Sequence, residues 1–332
     1  MATSHLSLII PVYNRPNEVE ELLDSLTRQS ETNFEVVIVE DGSKETCEHV
    51  VDAFKDKLVI SYYYIPNGGP GNARNYGAKQ SKGDYLIVLD SDCILPPDYI
   101  KSVNKELQET GADAFGGPDK ASDSFTDIQK AINYSMTSFF TTGGIRGGKK
   151  KMDKFYPRSF NMGIRKSTYE ALNGFSAMRF GEDIDFSIRL FKNGYKVCLF
   201  PSAWVYHKRR TDWRKFFRQV YNSGIARINL YKKYPDSLKL VHLLPAIFTL
   251  GVLFFLIGSI FCAWSLLPLG LFCLLIFADS TIQNKSIKIG FLSIIASFIQ
   301  LLGYGCGFLD ATWNRLILKK EEFSAFQKTF YK

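Results

Sequence analysis

Along the first 95 residues, short apolar runs alternate with stretches whose apolar positions recur at helical spacing. "LSLIIPVYN", "FEVVIVEDGS", "LVISYYYIP" and "YLIVLD" are nearly continuous in apolar residues, the pattern of strands buried on both faces. Between them, "PNEVEELLDSLTRQ", with Asn17 as a candidate cap, and "KETCEHVVDAFKD" read as helices. "GGPGNARNYGAKQSKG" reads as a glycine-rich turn running into a third helix. This β-α-β-α-β-α-β order predicts an α/β fold, a mainly parallel sheet with helices on both faces. Ligands in such sheets bind beyond the carboxyl ends of the strands.

After residue 95 the order loosens. "PPDYIKSVNKELQETG" predicts a helix started by prolines, "ADAFGGP" a strand, and 124–140 a helix. "TTGGIRGGKKKMDKFYP" predicts a loop, for which a plain solvated linker is the simplest reading. "RSFNMGIRKSTYEALNGF" predicts a strand, a turn and a short helix. "GEDIDFSIRLFKNG" predicts a helix stopped at Gly194, followed by strands in "YKVCLFP" and "AWVYH".

The last third differs in kind. From Leu240 to Ala278 there is no Lys, Arg, Asp or Glu, which at about 20 residues per crossing is enough for two membrane helices turning near Trp264 to Pro268. A third apolar stretch runs from Ile287 to Leu309. Three crossings would carry the lysine-bearing tail 313–332 out of the cytosol, against the positive-inside tendency. Either the third segment is re-entrant or interfacial, or two of the three cross. "HKRRTDWRKFFRQVYNSGIARINLYKKYP" mixes basic and aromatic residues just before the first run, as in a helix lying on an anionic leaflet.

The expected division is a catalytic domain over 1–237 with halves 1–95 and 96–210 and an interfacial helix over 211–237. A transmembrane region of two or three helices over 238–312 and the basic tail follow. "MATSHLSLIIPVYN" lacks the basic lead of a secretory signal, so the soluble part is expected in the cytosol with the chain anchored in the inner membrane. The formal charge of +8 comes with no nucleic-acid motif and is assigned to lipid. The six cysteines show no metal spacing and imply no disulfide.

Acidic residues collect where the strands end. The first strand ends at Tyr13-Asn14-Arg15, the second at Glu40-Asp41 and the fourth at Asp90-Ser91-Asp92. In a parallel sheet these ends share one edge, where several carboxylates repel unless a cation or donors sit among them. Oxygen ligands of this kind suit Mg²⁺ or Mn²⁺ together with phosphate oxygens. Arg74, following the glycines, offers a fixed charge to a diphosphate, and the N-terminus of its helix points the same way. A lone D-x-D is also an ordinary strand-to-turn junction.

Five blocks carry more than any one of them. "LSLIIPVYNR", "VVIVEDGS", "GGPGNARNYGAKQSKGDYLIVLDSD", "NMGIRKSTYEALNGF" and "GEDIDFSIRL" together resemble family 2 glycosyltransferases of the GT-A fold, over residues 5–235. The resemblance implies that Asp41 contacts a nucleotide base, with Pro11, Tyr13, Asn14 and Arg15 lining that pocket. Asp90 then faces the ribose and sugar, Ser91 joins the nucleotide-sugar-binding residues, and Asp92 binds a metal bridging the diphosphate. Asp183 is the implied catalytic base, helped by Glu182, and a histidine at the place of His207 approaches the metal in related enzymes. The other reading of His207 is a surface residue at a strand end, and of Asp185 a local cap or pair. Lys208, Arg209 and Arg210 fit lipid head groups as well as substrate. Glu40 stands where the family has a first Asp in "DDGS" and keeps the charge.

The processive members' Q-x-x-R-W is missing, since the corresponding residues are Gln219-Val220-Tyr221-Asn222-Ser223. The expectation is therefore one sugar per acceptor, from a nucleotide-sugar donor to a lipid-linked or other membrane-proximal glycan acceptor. A polyprenyl-phosphate sugar synthase and a non-catalytic nucleotide-sugar-binding subunit are the alternatives. A phosphotransferase fits poorly, because its acidic pair belongs after the first strand. Acceptor choice is expected to depend on the loop at 141–156.

Overall fold

The computed structural model describes residues 5–120, 125–142, 155–208 and 212–321. The first elements follow the apolar pattern: β1 (Leu6–Val12), α1 (Pro16–Thr27), β2 (Phe34–Asp41), α2 (Glu48–Asp52), β3 (Ile60–Ile65), α3 (Pro70–Gln80) and β4 (Tyr85–Leu89). Then come β5 (Cys93–Ile94), α4 (Tyr99–Thr110), β6 (Ala114–Gly116), β7 (Asp119–Lys120), α5 (Asp127–Thr137) and α6 (Phe139–Thr142). β8 (Asn161–Arg165), α7 (Lys166–Ala171), α8 (Glu182–Lys192), β9 (Val197–Leu199) and β10 (Val205–His207) complete the mixed part. The remainder is helical: α9 (Trp213–Lys233), α10 (Leu244–Gly258), α11 (Leu267–Asn284) and α12 (Ile287–Ala311).

A seven-stranded sheet runs β3-β2-β1-β4-β8-β6-β9. The four strands read from the first 95 residues are parallel neighbours, and β8 enters antiparallel beside β4 and β6. The expected α/β sheet of mainly parallel strands, followed along the chain by a helical apolar segment, is what the chain adopts. β1, β2 and β4 are buried almost throughout. Their apolar residues face α1 and α4 on one side and α3 and α8 on the other. Burying both faces of these strands removes several hundred Å² of apolar surface, at about 25 cal/mol for each Å², and accounts for the runs lacking polar alternation.

Two local expectations differ. Asn17 is not the cap of α1: Arg15 holds that place without a side-chain cap bond, and Pro16 starts the helix. Proline needs no amide partner there, so a capping side chain is dispensable. The helix read over 44–56 is only the five residues of α2.

By contacts the chain divides into two compact units, the sheet with its helices and a unit of α5, α6 and α9 to α12. The segment around α5 thus belongs with the apolar helices. Three helical stretches, Leu240–Gly258, Ala263–Asn284 and Ile287–Ile317, are long and apolar enough to cross a membrane. Most of the loop at 141–156, Arg209, Arg210 and the end of the basic tail lie outside the described residues.

A second, three-stranded sheet, β5-β10-β7, decides the site. β10 pairs antiparallel with β5, with His207 opposite Cys93. Its approach is held by Asn161, a buried amide that accepts from the Tyr99 hydroxyl at 2.6 Å and donates to the Ala203 carbonyl at 2.8 Å. Gly117 admits this contact, since a Cβ there would lie 1.8 Å from the Ala203 oxygen. Replacing Asn161 by Ala strands a buried hydroxyl and a carbonyl, which costs about 1–3 kcal/mol. The expected result is a lower thermal unfolding midpoint in detergent; an unchanged midpoint would refute this role.

Candidate active site

The carboxyl ends of β1, β2 and β4 bring the acidic residues to one edge. At the end of β2, the Asp41 carboxylate accepts from the Gly68 amide at 2.7 Å and the Gly69 amide at 2.9 Å. Burial raises its pKa, and the two amides pull it back. Asp41 thereby fixes the turn that opens α3, whose Gly69 sits at φ +91°, a conformation natural to glycine. At the end of β1, Asn14 adopts φ +52°. Its side-chain oxygen accepts from the Lys44 amide at 2.7 Å and the Glu45 amide at 3.1 Å. Asn14 and Asp41 therefore shape the loops after β1 to β3. Pro11 lies within β1, Tyr13 follows it, and Ser91 is buried between the two aspartates.

Asp90 and Asp92 leave β4 in different environments. Asp90 is a third exposed and meets the Arg74 guanidinium at 3.0 Å. Asp92 is nearly buried: Arg15 holds its Oδ2 at 2.6 Å, while His207 Nε2 stands 3.1 Å from its Oδ1. Phe160 stacks on the imidazole at 4.9 Å between ring centroids and fixes its plane. The Lys208 amide donates to the Asp92 carbonyl at 3.2 Å, and its ammonium pairs with Glu21 at 2.6 Å. His207 thus faces the D-x-D pair.

Asp92, Cys93 and His207 form a group whose ligand atoms lie within 4.8 Å of one another. Burial pushes the Cys93 thiol above its ordinary range, and a soft thiol is in any case a poor match for Mg²⁺ or Mn²⁺, which prefer oxygen ligands. That leaves a carboxylate oxygen and an imidazole nitrogen, a pair suited to Mn²⁺ and acceptable to Mg²⁺.

Arg74 is expected at a diphosphate from its place in the sequence. Its guanidinium sits between two carboxylates, Asp90 at 3.0 Å and Glu182 at 2.9 Å, over the Phe175 ring. Its side chain is only 4% exposed, so its charge offsets these acids first. Burial raises the Glu182 pKa, Arg74 opposes that rise, and neighbouring Asp183 adds to it.

Glu182 and Asp183 open α8 behind Gly181, which takes φ +84°. The helix N-terminus favours negative charge there. Asp183 Oδ1 accepts the Ile184 amide at 2.8 Å, and Arg158 lies 3.2 Å from its Oδ2. Asp185 is fully buried and pairs with Arg189 at 2.9 Å, the local pairing read from the sequence. Arg158 and Phe160 are additions that sequence reading missed. Both precede β8 at positions that carry no spacing relation to their partners.

The model of the family described as glycosyl transferase family 2 matches residues 7–172. An uncharacterized glycosyltransferase of Haemophilus influenzae is 34% identical over 218 residues, 62% of this chain and 70% of that protein. Another from Rickettsia typhi is 43% identical over 96 residues, which is 29% of this chain and only 30% of that relative's length. Among solved structures, the mannosyltransferase PcManGT of Pyrobaculum calidifontis, in complex with GDP-Man and Mn²⁺, superposes with a TM-score of 0.59 at 15% identity. That match covers 95% of this chain and 89% of the other, and it supports the GT-A fold of the chain. The family resemblance carried by the five sequence blocks is borne out: the chain belongs to glycosyl transferase family 2.

Proposed function

We propose that the protein transfers a single sugar, with inversion, from a nucleotide-sugar donor to a hydroxyl of a membrane-associated acceptor. The observation that carries this reading is the convergence of Asp92 and His207 at the sheet edge where Arg74 ties Asp90 to the start of α8. Asp183 takes the proton of the acceptor hydroxyl as its oxygen bonds to the anomeric carbon. The bond from that carbon to the diphosphate oxygen breaks in the same displacement, and the nucleoside diphosphate leaves. No covalent sugar–enzyme bond forms. Glu182 is held by Arg74 beside the base and orients it. Asp92 and His207 hold the divalent ion, Mn²⁺ or Mg²⁺, which when bound supplies positive charge to the departing diphosphate. The loops fixed by Asn14 and Asp41, with Pro11, Tyr13, Arg15 and Ser91, bind the nucleotide, and Asp90 meets the ribose and sugar.

The acceptor in this reading is a polyprenyl-diphosphate-linked glycan in surface or exopolysaccharide assembly. The apolar helices support it by keeping the enzyme at the bilayer, with the catalytic unit on the cytoplasmic side of an inner membrane. The test is nucleotide release by protein in detergent with lipid extract. A panel of UDP-, GDP- and dTDP-sugars is run with Mn²⁺, Mg²⁺ or EDTA. Metal-dependent release from one donor, with one sugar added per lipid acceptor, is the expected result. Donor binding without turnover on any extract would replace the enzyme reading with a binding subunit.

A further inference from the structure

We propose that α12 lies along the membrane surface and does not cross. The chain then leaves the bilayer on the side where it enters at Leu240. Composition alone makes α12 a third candidate span. Its contacts argue otherwise. After α11 returns the chain to the entry side, a crossing α12 would run parallel to α10, and its later turns would reach the Gly258 end. The contacts go elsewhere. Phe298 meets Phe248 at 5.7 Å, Gly305 packs on Pro245 and Thr249, and Phe308 shares an apolar cluster with Ala246. Between Phe298 and Phe308, α12 advances about 15 Å, yet these partners on α10 all fall within Pro245–Thr249, in its first two turns. The earlier half of α12 sits on the last turns of α11, through Ser293 and Ser280 at 2.6 Å and Phe291 and Phe277 at 4.6 Å. Both halves of α12 are thus anchored near the entry side.

The helix alongside gives a second, independent reason. α9 runs beside the later half of α12 at backbone distance: Gly224 fits against Tyr304 and Phe308, and Gly307 against Tyr221. α9 carries Arg214, Lys215, Arg218, Arg227, Lys232 and Lys233 and no acid. A crossing α12 would draw this basic helix into hydrocarbon, where its charges are costly. Lying at the anionic head groups, the same charges bind lipid. At the start of α12, Lys288 pairs with Asp127 of α5 at 2.8 Å, an exposed ion pair suited to water and not to a bilayer core. Burial agrees, since 44% of the α12 window is covered by protein against 11% for each of the other two. Four of its exposed residues, Ile287, Phe291, Ile295 and Cys306, are apolar and would face lipid, while the exposed Lys288 and Asp310 stand near its two ends, where head groups and water can meet them. Arg315, Lys319 and Lys320 beyond it then stay on the cytosolic side, as the positive-inside tendency favours.

The test fuses green fluorescent protein or alkaline phosphatase after Lys332 of the full chain in a bacterium. Fluorescence with an inactive phosphatase is expected, and an active phosphatase overturns the proposal. In proteoliposomes, spin labels on single cysteines at 287, 295 and 306 report depth from their collisions with oxygen and a water-soluble nickel complex. One shallow depth at all three is expected. A deep label at 295 between shallow labels at 287 and 306 is the mark of a crossing helix and would overturn the proposal even if the fusion result agreed.

Discussion

Replacing Asp183 by Asn lowers the rate of sugar transfer by about 10²–10⁴-fold, the usual contribution of a positioned general base, while donor affinity stays near that of the parent. The substitution is close to isosteric. Its amide oxygen still accepts the Ile184 amide, so the first turn of α8 is kept. What is lost is the capacity to take a proton and the pairing with Arg158 at 3.2 Å, a partly exposed contact. Partly exposed ion pairs contribute about 0–1 kcal/mol, so the thermal midpoint falls little. Glu182→Gln is the contrast. Its carboxylate is buried against Arg74, which is itself almost fully buried. Neutralising it leaves that guanidinium with Asp90 alone, and stability falls along with activity. The measurement is initial nucleotide release at saturating donor and acceptor, with donor affinity and midpoint taken on the same samples. A rate for Asp183→Asn within tenfold of the parent would remove Asp183 from the role of base.

These two neighbours show how far the sequence carries. The apolar runs gave the parallel strands, because strands buried on both faces leave no polar alternation. The acids after β2 and β4 could be placed on one edge because parallel strands share a direction. Asp185 was legible as a local cap or pair, and the fold supplies the partner, Arg189, four residues on. The Arg74 guanidinium was not legible. A basic residue after glycines suggests an anion such as a diphosphate; only the fold adds that Asp90, near in sequence, and Glu182, remote from it, pair with the guanidinium. The placing of His207 was legible only through the family resemblance and not from local pattern, because it depends on a two-residue strand pairing held through the buried Asn161 amide. Strands that short have no period to read. The membrane segment was legible in composition but not in path, since a helix lying across the first two turns of α10 and one passing through a bilayer are equally apolar.

Asp92→Ala abolishes Mn²⁺ binding at micromolar to millimolar metal, and transfer falls by at least about a hundredfold, since a Lewis acid at a leaving phosphate is worth several kcal/mol. The two oxygens of Asp92 have separate partners. Oδ2 is held by Arg15 at 2.6 Å, and Oδ1 stands with His207 Nε2 at 3.1 Å. On the proposed assignment Oδ1 and Nε2 would hold the ion, and Arg15 would fix the carboxylate through Oδ2. His207→Ala therefore weakens Mn²⁺ binding by about a hundredfold, at or above the 10–100-fold that supporting partners of metal ligands contribute. Arg15→Ala, which touches the ion only through the orientation of Asp92, weakens metal binding by about tenfold. Free Mn²⁺ measured by electron paramagnetic resonance gives these affinities without turnover. Excess Mn²⁺ restores transfer in His207→Ala but not in Asp92→Ala, because only the latter removes the charge that holds the ion, and in Arg15→Ala it restores metal binding but not the contact to the nucleotide. Equal affinities for the parent and His207→Ala would return His207 to the reading of a strand-end residue, with Phe160 stacking as its only purpose.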